Sequence, residues 1–494
     1  MINIKHYLKS RVIWIYLITI LVFTAAIFAL NEFDFSKINL ILIAFVICAG
    51  FILLSYSTKS KDVHRTALLY LLIFGVIVAF TSPIFIAPDE AEHFARSDLT
   101  SEGILIPEYT PNQGYYMNNY FWDMVYNMGS TVFNANFSHT DIWDGQGYFE
   151  SVFSQNLFYA YIAQAIGIFL AKIADLSMIW TLWLGRAFNA ILYSIIACFA
   201  IKKAPKYKYT LLFMACLPLA VFQASSMSAD SLIFAMGILN VSYFIRMYES
   251  ESIDKSDLSV FLISGLLMGL LKVPYVFMLL LIFLIPKDKF KSENINVLIK
   301  AAAIVIMAIA MTYSLKYASH ELLNGGRINY IIQNNISTSG QFNYILNNPL
   351  NVILTFIKSI SASFYTIFIQ ELSFYHQIYA NGQYIFNIIL FIMFFVFSLF
   401  SASEFDKKER IWFIFIFLLV YLSTFLTQFL SWTPVGLSSI LGIQARYFIP
   451  ILMLIPFILG KNCYKNLDDY KDIVIMLITL FLSGMLILTL INFY

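Results

Sequence analysis

Charge is the scarcest thing in this sequence. Only 12% of its 494 residues are Asp, Glu, Lys or Arg, against 60% hydrophobic residues and 48 phenylalanines. At a mean hydropathy of +0.76 the chain has too little polar surface to stay in water, which excludes a soluble enzyme or binding module. Cysteine is rarer still. Cys48, Cys198, Cys216 and Cys463 lie in apolar runs or a Lys-flanked loop without CxxC spacing, which excludes a disulfide framework and a thiolate metal site. No cleavable leader is expected, because the first apolar run, Val12 to Leu30, has full spanning length and no small-residue cleavage pattern. Low-complexity tracts and close-period repeats are missing too.

What is present is a succession of apolar runs, many of spanning length, which predicts an all-α polytopic membrane protein. The formal net charge of +2 says little; the placement of Lys and Arg says more. Lys5, Lys9 and Arg11 precede the first run and put the N-terminus in the cytoplasm. Ile38 to Tyr56 returns the chain to Lys59, Lys61 and Arg65, and Thr66 to Ala87 leads outward. From Pro88 to about Glu150 the sequence is polar and aromatic, predicting a folded external loop with short amphipathic helices.

Val152 to Ala174 is apolar enough to cross, yet a crossing there would leave Lys202, Lys203, Lys206 and Lys208 outside. It is therefore expected to lie along the outer leaflet or to re-enter, and by the same parity Val352 to Gln370 is not expected to cross. About 13 crossings remain, among them Tyr209 to Ala224, Leu258 to Leu271, Val273 to Ile285 and Gln444 to Gly460. The two short runs that meet at LLKVPY are also compatible with a re-entrant pair. The organisation expected is a two-helix extension over 1–65, then a transmembrane domain over 66–494 with external loops at 88–177 and 318–383.

Where charge is scarce, its location is informative. Asp89, Glu90, Glu92 and His93 follow directly on the third run, and Asp230 sits at the outer end of another. Lys272, Arg446 and Arg186 are also assigned to outer ends. Carboxylates beside Lys and Arg at one membrane face suit a reaction in which a hydroxyl is deprotonated while a phosphate leaves. Asp supplies the base; Arg or Lys holds the developing phosphate charge. Internal ion pairs that fix helix packing account for the same residues.

The segment APDEAEHFARSDLTSEG resembles the PDE-x-x-H-x-x-R-x-x-x-x-x-x-G signature of domain-of-unknown-function family 2142, a group of bacterial membrane proteins. QASSMSADSL, GLLKVPYVFMLLLIFLIP and GIQARYFIP are similar to its later landmarks, in order, so the resemblance spans about Thr66 to Phe457. That family in turn looks like part of the GT-C superfamily of integral-membrane glycosyltransferases. The resemblance implies inverting transfer from a polyprenyl-phosphate sugar donor to a glycan or glycolipid on the outer face of the bacterial cytoplasmic membrane. It implies Asp89 and Asp230 as catalytic acids, with Glu90 beside the first; the charges read from the sequence itself, with their neighbours, add His93, Arg186, Lys272, Gln444, Arg446 and Tyr447 as candidate substrate contacts. Some GT-C enzymes bind a divalent ion such as Mg or Mn near the first acid, for which Asp89, Glu92 and His93 are the candidate ligands. His139, Asp141 and Asp144 in HTDIWD form a second candidate set. A transporter or flippase of lipid-linked saccharides is the rival reading, with the same charges as headgroup or ion contacts.

Overall fold

The computed structural model describes residues 4–32, 36–111, 113–135, 146–151, 153, 156–324, 328–373, 381–401, 403–460 and 470–494. The chain is an all-α polytopic membrane protein, and among the described residues ten helices are long and apolar enough to cross a bilayer. The first three are α1 (Ile4–Leu30), α2 (Lys37–Ser57) and α3 (Val63–Thr81). A cap follows, made of α4 (Glu90–Ser101), α5 (Tyr120–Tyr126), α6 (Ile162–Ile173) and a small antiparallel sheet of β1 (Tyr109–Thr110), β2 (Gly114–Asn118) and β3 (Gln146–Phe149). The sheet was not anticipated; Tyr115 faces Phe149 across it. Tyr115, Phe94 and Phe121 form the buried core of the cap.

Next come α7 (Ile179–Lys203), α8 (Lys208–Ala215), α9 (Pro218–Ala224), α10 (Asp230–Glu249) and α11 (Lys255–Leu271), then a 3-10 segment over Val273–Leu284. The chain continues with α12 (Glu293–Asn324), α13 (Ile328–Gln333), α14 (Thr338–Asn347) and α15 (Pro349–Tyr365), which runs into a π-type turn at Thr366–Gln370. It closes with α16 (Gln383–Phe400), α17 (Lys407–Ser431), α18 (Ile449–Leu452), α19 (Ile455–Leu459) and α20 (Lys471–Phe493).

Four of the expected crossings are broken or fall short of a full span. The Tyr209 to Ala224 run is split into α8 and α9 at Pro218, and the Gln444 to Gly460 run is broken where Pro450 and Pro456 open α18 and α19. Proline lacks the N–H that would continue the ladder. Val273–Leu284 winds as a 3-10 helix behind Pro274, and α11 has 17 residues. In the other direction, Pro349–Gln370 forms 22 continuous residues of spanning length and hydropathy, so the surface position expected for Val352 to Gln370 does not follow from its geometry. Phe158–Ile173 is shorter than any of the ten.

Without water to drive apolar surfaces together, packing of small residues holds such helices in contact. Gly167 of α6 lies against α7 so closely that a Cβ would stand 2.3 Å from the Leu184 carbonyl oxygen. α10 and α11 form an antiparallel hairpin. Asp230 at the start of α10 meets Lys272 just beyond α11, and Arg246 near its end meets Asp257 at 2.6 Å. α1 and α2 pack on α20, where the Tyr16 hydroxyl lies 3.1 Å from Ser483 Oγ.

Candidate functional site

The chain leaves α3 through Ser82 to Pro88 and turns sharply into α4. Asp89 makes that turn in a left-handed conformation, φ 58°, which costs a non-glycine residue about 1–2 kcal/mol. Asp89 caps no backbone N–H with its side chain. Its carboxylate instead meets Nη2 of Arg446, whose Nη1 also donates to the Pro88 carbonyl at 3.2 Å. One guanidinium thus grips both the turn and its acid.

Glu90 points the other way. Its two oxygens accept from Nε and Nη2 of Arg186, each at 2.7 Å, and from the backbone N–H groups of Met227 and Ala87. Arg186 also donates to the carbonyls of Ala79, Ser82 and Pro83, so all five of its N–H groups are engaged. Both side chains are fully buried. The expectation that Arg186 touches substrate and that Glu90 is catalytic is corrected here: no donor is left for a phosphate, and no lone pair of Glu90 is open. The pair ties α3, α4, α7 and the loop before α10 together, the packing role the sequence allowed.

Asp230, Lys272, Gln444, Arg446 and Tyr447 do converge with Asp89. Asp230 Oδ1 lies 2.6 Å from Lys272 Nζ, and Oδ2 lies 3.2 Å from Arg446 Nε. That second contact is too poorly aligned for a hydrogen bond, so buried Oδ2 has no hydrogen-bond donor. Nε of Arg446 donates to Gln444 Oε1 at 2.6 Å. Lys272 Nζ stands 3.9 Å from the centre of the Tyr447 ring, a cation–π contact. Asp230 and Arg446 are buried, whereas the side chains of Asp89 and Lys272 are 33% and 31% exposed, so the cluster opens on their side.

His93, one turn into α4, is buried beside this cluster. Burial, with the Arg446 charge added, pushes its imidazole down to about 3, so the ring is neutral. Nδ1 lies 2.7 Å from the Tyr161 hydroxyl, which accepts from Asn156 Nδ2 at 2.8 Å. The arrangement that uses every hydrogen has the phenol donating to Nδ1, leaving Nε2 as an N–H donor. Asn189 and Gln164 hold the loop before Asp230 by donating to the carbonyls of Ser226, Met227 and Ser228.

Sequence reasoning missed Glu371, which follows the π-type turn. Its Oε2 accepts from the Ala445 N–H at 2.8 Å. Burial raises the carboxyl to about 7 against the pull of that N–H and of Arg446. The only signal was a carboxylate at the end of an apolar run. The residues that follow, 374–380, lie outside the described residues, as do His139, Asp141 and Asp144.

A divalent ion fits poorly among Asp89, Glu92 and His93. Asp89 already faces Arg446, His93 presents Nδ1 to a phenol, and a metal ion would stand against two cations. Among the described residues no three His, Cys, Asp or Glu side chains are gathered to share one.

An apolar groove of about 300 Å³ lies between α15 with its π-type turn, α16, α17 and the short helices α18 and α19. Phe364, Phe368, Phe395, Phe417 and Phe448 line it; Phe448 is two residues beyond Arg446.

No curated protein and no solved structure matches this chain. The family described as predicted membrane protein (DUF2142) matches residues 130–455, about two thirds of the sequence. The match includes Asp230, Lys272, Glu371 and Arg446 and begins after Asp89 and His93, so the Pro88 to Gly103 segment lies outside it. On that match, the chain belongs to this family of predicted membrane proteins.

Proposed function

We propose that the protein is an inverting glycosyltransferase that moves a sugar from a polyprenyl-phosphate donor to a glycan or glycolipid acceptor at the outer face of the bacterial cytoplasmic membrane. The observation that carries this reading is the cluster of Asp89, Asp230, Lys272 and Arg446, open on one side; Phe448, two residues beyond Arg446, lines the apolar groove. A lipid-linked phosphate matches both halves of that arrangement, headgroup to the cations and chain to the phenylalanines. The resemblance of its family to the GT-C superfamily is the second support.

In the reaction the acceptor hydroxyl oxygen forms a bond to the anomeric carbon as the bond from that carbon to the phosphate oxygen breaks. The hydroxyl proton passes to Asp89, the more exposed carboxylate, and the leaving phosphate keeps the electron pair. Arg446 offers a planar fork to two phosphate oxygens and Lys272 a point charge, so both neutralise charge where it develops. His93, neutral at any working pH, donates Nε2–H to a sugar or acceptor oxygen without adding charge. Asp230 holds both cations in place.

The test is turnover by protein in nanodiscs supplied with a panel of polyprenyl-phosphate hexoses, read by mass spectrometry as release of polyprenyl phosphate. Wild type should release it from at least one donor, and Asp89→Asn should be slower by about 10²- to 10⁴-fold. Equal rates would remove Asp89 from the chemistry.

The broken segments α8–α9 and α18–α19 favour a second reading, since interrupted helices also build transport sites. A transporter would move a lipid-linked saccharide across a vesicle bilayer with its sugar still attached, which the same mass spectra distinguish.

A further inference from the structure

Arg446 and Arg186 are both buried guanidinium groups facing carboxylates, but they are occupied differently. Arg186 spends every N–H on Glu90 and backbone carbonyls, whereas the terminal nitrogens of Arg446 meet the Pro88 carbonyl and the Asp89 carboxylate, with the Tyr447 side chain beside them. The charges of Asp89, Asp230, Lys272 and Arg446 sum to zero, and His93 beside them is neutral. An anion entering a balanced set of this kind leaves it with excess negative charge unless a carboxylate gives way. Asp230 is buried, lies at the start of α10 and is held by Lys272. Asp89 is one-third exposed, and its carboxylate has one hydrogen-bond donor, Nη2 of Arg446. The same guanidinium donates to the Pro88 carbonyl just before its left-handed backbone.

We infer that the donor's phosphate displaces Asp89 from Arg446, so that the carboxylate held on that guanidinium becomes a free base only once the donor is bound. The inference rests on the glycosyltransferase reading and adds to it an order of events. Arg446 trades a carboxylate for a phosphate, keeping its bonds to Gln444 and Pro88, while Asp230 stays on Lys272. Buried Oδ2 of Asp230, which lacks a hydrogen-bond donor, turns its charge toward Arg446 and holds it during the trade. Asp89 swings toward the open side, where an acceptor hydroxyl arrives. A site without donor then has no free base, which limits idle proton transfer to water.

The exchange makes a counterintuitive forecast: removing the acid that performs the chemistry should tighten binding of the product-like anion. The full chain in nanodiscs is titrated with polyprenyl phosphate carrying no sugar and, separately, with inorganic phosphate. Asp89→Asn should bind polyprenyl phosphate about tenfold more tightly than wild type, because no charged competitor remains on Arg446. Asp89→Glu should stay near wild type. A matching gain with inorganic phosphate supports the exchange at the phosphate group itself; a gain with the lipid alone supports it and adds that the chain is required. Equal or weaker binding by folded Asp89→Asn overturns the exchange and leaves the donor reading standing. Absence of binding by every variant overturns both. Wild type gives a second readout that needs no substitution. With ¹³C-labelled aspartate, adding polyprenyl phosphate should shift one carboxylate stretch in the infrared difference spectrum, and an unchanged spectrum overturns the exchange.

Discussion

At the residue scale, the occupancy of each donor and acceptor separates scaffold from chemistry. Arg186 and Glu90 are sealed together, and removing one partner strands a buried charge. Arg186→Met should therefore lower stability in detergent by about 3–5 kcal/mol, and adding Glu90→Gln should recover part of the loss. A single substitution that leaves the unfolding temperature unchanged would contradict the assignment. Glu371 carries the clearest pH dependence. Its folded value of about 7 lies above the ordinary 4.5, so the folded state binds the extra proton. Its contribution is fully present below pH 4.5 and is lost as pH rises through 7, on the order of 3 kcal/mol in all. Glu371→Gln should flatten that part of the stability profile between pH 5 and pH 8. These two acids show the limit of reading charge from sequence. Glu90 stood in the right cluster, but its partner lies 96 residues away in another helix; nothing in the sequence near Glu371 names Ala445, 74 residues on, as its partner.

At the scale of elements, the site depends on how helices end and how closely they pass. Asp89, Asp230 and Lys272 were legible because each terminates or begins an apolar run, and a charge there has few places to go but a shared face. Proline was the legible cause of the breaks in 208–224 and 445–459, although hydropathy alone read both as spans. Gln164, Asn189 and Tyr161 were not legible, because a single polar residue in an apolar helix says nothing about which loop or ring it will meet. α6 is positioned by Gly167 against the α7 backbone, and it carries Gln164 to the loop before Asp230. Gly167→Val should separate α6 from α7 at a cost of about 1–3 kcal/mol. Protease digestion of the native protein should then cut faster between residues 150 and 178 while the rest of the bundle stays protected. Unchanged digestion would mean that the close approach is dispensable.

At the scale of the whole molecule, membrane helices carry a cap on one end, and the cluster lies where cap and bundle meet. The bundle was legible early, since a chain with 12% charge and long continuous apolar runs satisfies its backbone in lipid by forming helices. The number of crossings was less legible. Parity from Lys and Arg gave about 13, whereas length and hydropathy of the helices give ten candidates, one of them the 349–370 segment that parity had kept out. The central claim is that this cluster transfers a sugar from a lipid phosphate, and it is tested most directly in cells by mass spectrometry of surface glycans and lipid-linked sugars. Three strains are compared: wild type, one lacking the protein, and one expressing Asp89→Asn at normal level. The account predicts that one glycan sugar present in wild type is missing from both other strains, with its polyprenyl-phosphate form accumulating in them. Identical glycans and lipid-linked sugars in all three would contradict it.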